Sequence, residues 1–424
     1  MAMIIKFSKI TEYVLLISVI TLVFFYDLLS SSIGFFDEFL GLLSFFVLLY
    51  YIAFKGRLVL FRKEYYVLIL LSFIIFLGIA SNISAYYKGY KTDLLAVFSD
   101  LINFTKAFAA YFALRLFSKH YNSKKVLNKI SKYVEIIFYI LLVLVLLDII
   151  FTIFPKSKRY GFNSLMLFFK HASRYAFAFS FIFLALLPKH YQKNKGLLFL
   201  ILIIGTFSLR VKYFGFVGLT LIIMFYGKRL FKIPKLYFLS FICILSLFLI
   251  WLFRYQIEMY FVFDTIEDAW SRAVILYYSY IIGNDYFPLG TGFGTYSSYY
   301  SGYYYSWVYD LYGIDNVYGI SRRYWNFVAD QYWPMVLGQF GYLGLFSMIM
   351  IIYNFFTLFL NKIKANRDNE KYYYLLSAIL GLFLLLIDST SDAIFTQQRA
   401  VVMFIFFALV VNTIDKKHES ITNK

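Results

Sequence analysis

The sequence has few of the residues that form disulfides, metal sites and soluble surfaces. Among 424 residues there is one cysteine, Cys243, and there are four histidines, while only 15% of the chain is charged. A single cysteine excludes a disulfide within the chain and a cysteine-based metal site. Soluble domains are about a quarter charged, so the composition also excludes a soluble domain.

Motifs for common cofactors are absent. No two histidines have the spacing of a zinc-binding helix, and the chain has neither a Walker loop nor a dinucleotide-binding glycine fingerprint. We therefore expect no metal and no cofactor. Two acidic groups, Asp264-x-x-Glu267-Asp268 and Asp388-x-x-x-Asp392, keep a divalent cation open as the alternative, because carboxylate oxygens are ligands for such ions.

Long apolar runs take up most of the chain, and each is long enough to span a bilayer at about twenty residues. Hydrophobic residues make up 62% of the sequence. We predict an all-α polytopic membrane protein with about 12 transmembrane helices. The predicted spans lie at 10–30, 33–53, 66–84, 93–117, 133–154, 171–188, 196–209, 213–227, 237–254, 333–360, 372–388 and 399–414.

The basic residues alternate between the predicted loops. An even number of spans puts both termini on one side, and 25 of the 41 lysines and arginines lie in the short loops and tails of that side. Short loops rich in Lys and Arg stay in the cytoplasm, so both termini are predicted to be cytoplasmic. The net charge of +18 then reflects topology, and we expect no nucleic-acid partner.

One large extramembrane segment is predicted, on the outer side between spans 9 and 10. It divides the chain into a first group of spans (1–254), the loop (255–332) and a last group of spans with a cytoplasmic tail (333–424). The loop contains seventeen tyrosines and three tryptophans. Aromatic residues of this kind are typical of a membrane interface, and they also suit the flat faces of sugars.

Several basic residues lie on the predicted outer side, against the usual charge bias. At or near the spans lie His171, Arg174, Arg210, Lys212, Arg254 and Arg399, and in the large loop lie Arg272 and Arg323. Charge at membrane depth is costly, so these residues should have anionic partners. Acids of the outer loops are one such partner, and snorkelling to the interface is a further explanation, above all for Arg254. The third is a clamp for the pyrophosphate of a lipid carrier, because guanidinium groups bind phosphate bidentately.

Asp330 lies where the large loop enters the tenth span, four residues before Pro334. Proline is common in the first turn of a helix, so the helix should begin near this position. Two interpretations of Asp330 follow. The residue caps the helix, or it serves as a general base at the outer surface.

Three stretches resemble the O-antigen polymerase and O-antigen ligase superfamily. Arg272 with the apolar residues after it, followed by Pro288-Leu289-Gly290-Thr291-Gly292-Phe293-Gly294, resembles the outer-loop signature. Asp330-Gln331-Tyr332-Trp333-Pro334 with Gly338 to Gly344 resembles the exit from the loop. Thr206-Phe207-Ser208-Leu209-Arg210 is similar to a "T-x-S-R" turn with one extra residue. The order of spans and the late outer loop are similar too.

The resemblance implies a polymerase that transfers a growing glycan from undecaprenyl pyrophosphate to a lipid-linked repeat unit, at the periplasmic face of the bacterial inner membrane. Arg210, Arg272 and Asp330 would be catalytic, with Asp330 the first candidate for the base and His171 the second. His171 and the other basic residues, Arg174, Lys212, Arg254, Arg323 and Arg399, would bind substrate. Membrane lipid and a chain-length regulator are further partners that the resemblance allows.

Two alternatives stay open. A ligase would transfer the glycan to lipid A core, but ligases of this superfamily carry His-Asn at the loop exit, where this chain has Asp330-Gln331. That departure favours a polymerase and puts the identity of the base in question. A flippase for lipid-linked oligosaccharides is the other alternative; inverted repeats, which many transporters contain, are not found in the sequence.

Overall fold

The structure, a computed structural model, describes residues 2–55, 59–230, 269–366 and 370–415, with isolated positions between 231 and 268. The helices of these ranges are α1 (Ala2–Ile20), α2 (Tyr26–Ile33), α3 (Phe36–Lys55), α4 (Arg62–Tyr87), α5 (Leu94–Leu116), α6 (Ser123–Phe151), α7 (Ala172–His190), α8 (Lys195–Thr206), α9 (Val211–Leu230), α10 (Ser271–Asp285), α11 (Tyr299–Tyr303), α12 (Trp307–Leu311), α13 (Tyr332–Ala365), α14 (Glu370–Ser389) and α15 (Gln398–Ile414). Two short antiparallel strands, β1 (Ser157–Arg159) and β2 (Phe162–Ser164), form a hairpin before α7.

Residues Thr21–Phe25 form a π-helical turn that joins α1 and α2 into one continuous helix. Seven helices of the described ranges have the length and apolarity to cross a membrane: this joined helix over Lys9–Leu29, α3, α4, α5, α6, α13 and α14. The prediction of an all-α membrane protein is confirmed to that extent. Helices α8 and α15 and residues 211–227 of α9 are apolar but shorter. The predicted ninth span, 237–254, and the domain boundary at 254 fall outside the continuous described ranges, so the total of 12 spans stays a prediction.

Helix α6 begins ten residues before the predicted span at 133. Asn122 caps it, because its side-chain oxygen accepts a hydrogen bond from the Lys125 amide at 3.0 Å. Lys129, in the second turn, binds Glu12 of α1 at 2.9 Å. The predicted loop of basic residues is therefore the first part of a long helix that pairs with acids of neighbouring helices.

Contacts between helix ends define two opposite ends of the bundle. Glu12 and Lys129 lie at one end, together with the start of α6. Lys212, at the start of α9, binds Asp388, at the end of α14, at 3.1 Å, and these two residues lie at the other end. We call the second the site end. Helices α7, α9, α10, α13 and α15 all begin there.

Helices α7 and α15 form the centre of the bundle. Nearly every side chain of α7 from Ala172 to Leu187 is buried, as is nearly every side chain of α15 from Gln398 to Asn412. Both helices are apolar on every side along most of their length, as is typical of a helix that other helices surround. Arg174 of α7 and Arg399 of α15 lie in the first turns of these helices, at the site end, while Lys189 and His190 lie in the last turn of α7.

The described part of the predicted large loop, residues 269–331, is folded. Helices α10, α11 and α12 enclose a small hydrophobic core of their own, made of Ala269, Val274, Ile275, Ile282, Tyr296, Val308, Tyr309, Ile314, Val317, Ile320 and Val328. Tyr296 donates a hydrogen bond from its hydroxyl to the Ile275 carbonyl at 2.6 Å. The aromatic residues of this segment are thus partly core and partly surface.

The glycine-rich stretch 290–294 anchors this segment to the membrane helices. The amide of Gly292 donates to the Gln339 carbonyl of α13 at 2.8 Å, and the amide of Gly294 donates to the Asp100 carboxylate of α5 at 2.7 Å. Gly292 has a φ of +99°, and a Cβ there would lie 2.7 Å from the Asn82 backbone nitrogen. Glycine is required at this position because the backbones approach so closely. The spaced glycines therefore serve packing, which fixes residues 269–331 over the helix ends.

Candidate functional site

Charged residues from five helix starts meet at the site end. Nine residues form this group, which we call the charged cluster: His171, Arg174, Arg210, Lys212, Arg272, Asp330, Asp388, Asp392 and Arg399. All but Asp388 and Asp392 lie within two residues of the start of α7, α9, α10, α13 or α15. The first amide groups of a helix lack intrahelical acceptors and carry partial positive charge. Five such helix starts together with the arginine side chains favour an anionic ligand.

His171 and Arg210 form the first pair of the cluster. Nη2 of Arg210 lies 2.6 Å from Nε2 of His171, and the Ser173 amide lies 3.3 Å from Nδ1. Both neighbours can only donate, whereas a neutral imidazole has a single acceptor nitrogen, so the ring accepts from Arg210 through Nε2 or from the Ser173 amide through Nδ1, depending on the tautomer. Burial, followed by the positive charges of Arg210 and Lys212, lowers the pKa of His171 to about 4. The imidazole is therefore neutral at physiological pH.

Arg210 also has an unmatched donor. Its Nε is buried and has no hydrogen-bond partner in the described part of the chain. Burial and the nearby guanidinium groups of Arg159 and Arg272 lower the pKa of Arg210 to about 10, which still leaves the side chain charged at neutral pH. A buried donor without an acceptor costs about 1–3 kcal/mol. A ligand oxygen beside Arg210 would remove that cost.

Arg272 and Asp330 form the second pair. Nε and Nη2 of Arg272 donate to the same carboxylate oxygen, Oδ2 of Asp330, at 3.1 and 2.8 Å. Among the described residues, none donates a hydrogen bond to the other oxygen, Oδ1. Burial raises the pKa of Asp330 despite the opposing effect of Arg272. The side chain is about 28% exposed, so Oδ1 is within reach of a substrate.

The cap interpretation of Asp330 does not hold. The N-cap of α13 is Gln331, and the Asp330 carboxylate binds Arg272 instead of a helix amide. A single sequence could not separate the two interpretations, because the decisive contact joins residues that are 58 positions apart.

Asp388 and Asp392 hold the remaining basic residues. Lys212 lies 3.1 Å from Asp388 and 3.8 Å from Asp392, while Arg399 binds Asp392 and lies 3.8 Å from Asp388. Burial tends to raise the pKa of Asp392, but Arg399 and Lys212 outweigh it and hold that pKa below its usual range. These carboxylates, considered in the sequence as cation ligands, are matched by basic side chains in the structure.

Arg174 lies beside Arg399 and binds Asp27 of α2. Both arginines line a small recess with an apolar floor, which Leu22, Val23, Phe169 and Phe177 contribute. The Nη1 atom of Arg399 is buried and has no hydrogen-bond partner among the described residues. The sequence analysis did not identify Asp27 as part of the site, although an acidic residue within an apolar run could have indicated it.

The cluster has an excess of positive charge. With Arg159 and Asp27 as immediate neighbours, six basic side chains lie against four carboxylates, while His171 is neutral. Two positive charges are therefore uncompensated. This excess matches the two negative charges of a diphosphate diester.

Two residues predicted to bind substrate are not joined to the cluster by any contact in the described ranges. Arg323 is exposed on residues 269–331, next to Arg322, which binds Asp310 and stacks over Tyr305. Arg254 is an isolated described position, 6.0 Å from the ring of Trp251.

Within the described residues no group of three metal-ligating side chains occurs, while Asp264, Glu267 and Asp268 lie outside them. Comparison of the chain with known protein-family models and with curated proteins finds no match.

Proposed function

We propose that the protein is a polysaccharide polymerase, a glycosyltransferase that uses a polyprenyl-pyrophosphate-linked donor and a lipid-linked repeat unit as acceptor. The observation that carries the proposal is the charged cluster, in which uncompensated arginines lie beside a half-buried carboxylate. Guanidinium groups and helix starts suit the diphosphate of the donor. The carboxylate suits removal of a proton from the acceptor hydroxyl. The sequence resemblance described above points to the same chemistry.

The reaction needs one bond to form and one to break. The acceptor hydroxyl oxygen attacks the anomeric carbon of the donor glycan, and the bond from that carbon to the diphosphate oxygen breaks. Arg210 and Arg272 stabilise the negative charge that develops on the leaving polyprenyl diphosphate. Asp330 takes the hydroxyl proton on Oδ1, while Arg272 holds Oδ2. The proposed reaction requires no metal and no nucleotide sugar.

The proposed site requires the outer face of a bacterial inner membrane, with both termini in the cytoplasm. We expect a membrane-impermeant maleimide to label Asn316→Cys in cells with a permeabilised outer envelope, and to label Ser420→Cys only after lysis. Both variants are made in a Cys243→Ser background, because Cys243 is the single natural cysteine and is exposed. Asn316 is exposed on residues 269–331. The reverse pattern of labelling would place the charged cluster in the cytoplasm and remove the proposal.

Deletion of the gene tests the function directly. We expect the deletion strain to carry a single repeat unit on its envelope glycolipid, seen as one extra band on a glycolipid gel, and plasmid expression to restore long chains. The Arg323→Ala form should restore them equally well, because Arg323 is exposed outside the cluster.

Two other gel patterns would contradict the proposal. Acceptor glycolipid without any repeat unit would mean a ligase. Lipid-linked units that accumulate in the cytoplasmic leaflet would mean a flippase.

A further inference from the structure

A group of aromatic rings projects from residues 269–331 close to the bundle. Tyr299 and Tyr303 of α11 stack with centroids 6.2 Å apart and planes 17° apart, and Trp325 meets both of them edge-on. We call these three residues the tyrosine platform. The two tyrosines are 50% and 59% exposed, so a ligand can reach both side chains.

Contacts with the rest of residues 269–331 hold the platform in place. Trp325 lies against the α11 backbone at Gly302, where a Cβ would come within 2.6 Å of the indole ring. Ser298 caps the helix through Ser301, and the Ser301 hydroxyl is 2.7 Å from the buried hydroxyl of Tyr309. Rings fixed in this way lose little entropy when a ligand stacks on them. Rigid support of this kind is what a binding site needs.

Acidic residues of α3 lie next to the platform. Partial burial, followed by the nearby carboxylate of Glu38, raises the pKa of Tyr300 to about 12, and Glu38 also acts on Tyr299. Oε1 of Glu38 binds Lys106 at 3.1 Å, whereas Oε2 is buried and has no hydrogen-bond partner among the described residues. Asp37 binds the same lysine at 2.5 Å, so two carboxyl groups share one lysine. A sugar hydroxyl would find an acceptor in the unpaired Oε2 of Glu38.

A line of polar contacts joins the platform to the charged cluster. The Arg174 guanidinium lies 5.6 Å from the ring of Tyr26, and the Tyr26 hydroxyl oxygen lies 3.3 Å from a carboxylate oxygen of Asp37. Asp37 then meets Lys106 and, through it, Glu38 beside the platform. The two surfaces are thus neighbours on one end of the bundle.

We infer that the tyrosine platform is a sugar-binding subsite for the glycan, on the path that leads away from the charged cluster. This inference rests on the proposed function, since it assigns the chain attached to the diphosphate to a surface. Stacking of a pyranose on Tyr299 and Tyr303 requires no particular sugar, and Oε2 of Glu38 accepts a hydroxyl hydrogen. The subsite holds the chain between successive transfers, which lengthens the product.

Calorimetry and product length together test the subsite. The probe is the oligosaccharide released by mild acid from the lipid-linked units that a deletion strain accumulates, titrated into the purified protein in nanodiscs. We expect Tyr299→Ala/Tyr303→Ala to bind it about tenfold more weakly, the size expected for two aromatic contacts. The same variant should still join repeat units but yield shorter chains. Tyr299→Phe/Tyr303→Phe keeps both rings and should bind within about twofold of the unchanged protein.

Exposed tyrosines of α10 provide the matched control. Tyr277 and Tyr280 are 53% and 59% exposed and are not part of the platform, so Tyr277→Ala/Tyr280→Ala should leave binding and chain length unchanged. Equal losses in both alanine pairs would mean a general interfacial role for these tyrosines and overturn the subsite. Unchanged binding and chain length in the platform variant would overturn it as well, with the polymerase proposal intact. A deletion strain that accumulates no lipid-linked units would overturn both.

Discussion

Replacement of Arg210 or Arg272 by alanine is expected to lower the rate of polymerisation by about 10²–10³-fold, the usual cost of one preorganised transition-state donor. Arg210 has a buried Nε without a partner in the described ranges, and Arg272 has a guanidinium only about one-third exposed. In the proposed reaction, both side chains would stabilise the charge on the departing diphosphate. The measurement is the rate of chain growth by purified protein with lipid-linked repeat units extracted from a deletion strain.

Lysine variants separate the geometry of these arginines from their charge. Arg210→Lys and Arg272→Lys keep the positive charge but lose the planar fork, so they should recover little of the lost rate. Because the charge is needed most in the transition state, kcat should fall more than KM rises. Arg323→Ala is the matched control, since Arg323 is a basic residue exposed outside the cluster. Full-length glycan from well-folded Arg210→Ala and Arg272→Ala proteins would end their assignment as donors to the diphosphate.

The sequence predicted the helices because their signal is local. Runs of apolar residues identify membrane helices directly, and the predicted spans at 66–84 and 372–388 coincide with α4 and α14. The start of α6 was predicted ten residues late, because apolar periodicity does not include the polar turns that Asn122 caps. Composition likewise did not indicate that residues 269–331 enclose a core, since tyrosine is common both in cores and at interfaces.

The candidate site was predictable only in part, because its contacts join residues that are far apart in the sequence. Arg210, Arg272 and His171 were predicted because a topology based on charge puts them on the unfavoured side of the membrane. The residues that these side chains bind were not predicted, because each pair joins distant parts of the chain, as Arg272 and Asp330 do. The glycines at 290–294 could be recognised as a motif. The neighbouring sequence, however, does not indicate which helices they pack against. Arg254 and Arg323, which the sequence predicted to bind substrate, have no contact with the charged cluster among the described residues, so the proposed site does not include them.

Asp330→Asn is expected to lower the rate of polymerisation by about 10²–10⁴-fold, the contribution of a general base, with substrate binding largely kept. The amide has nearly the shape of the carboxylate and its oxygen still accepts from Arg272, so the fold should survive. Burial raises the pKa of Asp330, which makes its carboxylate a stronger base than an ordinary aspartate. The rate of the unchanged protein should therefore fall as the pH drops through this raised pKa, whereas the residual rate of Asp330→Asn should lack that fall.

The competing candidate for the base is His171, and the hydrogen bonds distinguish the two. A neutral imidazole has one lone pair, and in either tautomer of His171 a donor faces it, either Arg210 at Nε2 (2.6 Å) or the Ser173 amide at Nδ1 (3.3 Å). The ring therefore has nothing left to accept a proton from the acceptor hydroxyl. Asp330 uses only Oδ2 for Arg272, and Oδ1 is open. His171→Gln keeps an acceptor for Arg210 and should cost far less rate than Asp330→Asn. If purified Asp330→Asn instead polymerises within about threefold of the unchanged protein while His171→Gln is inactive, the base is His171, and Arg210 must leave Nε2 before each transfer.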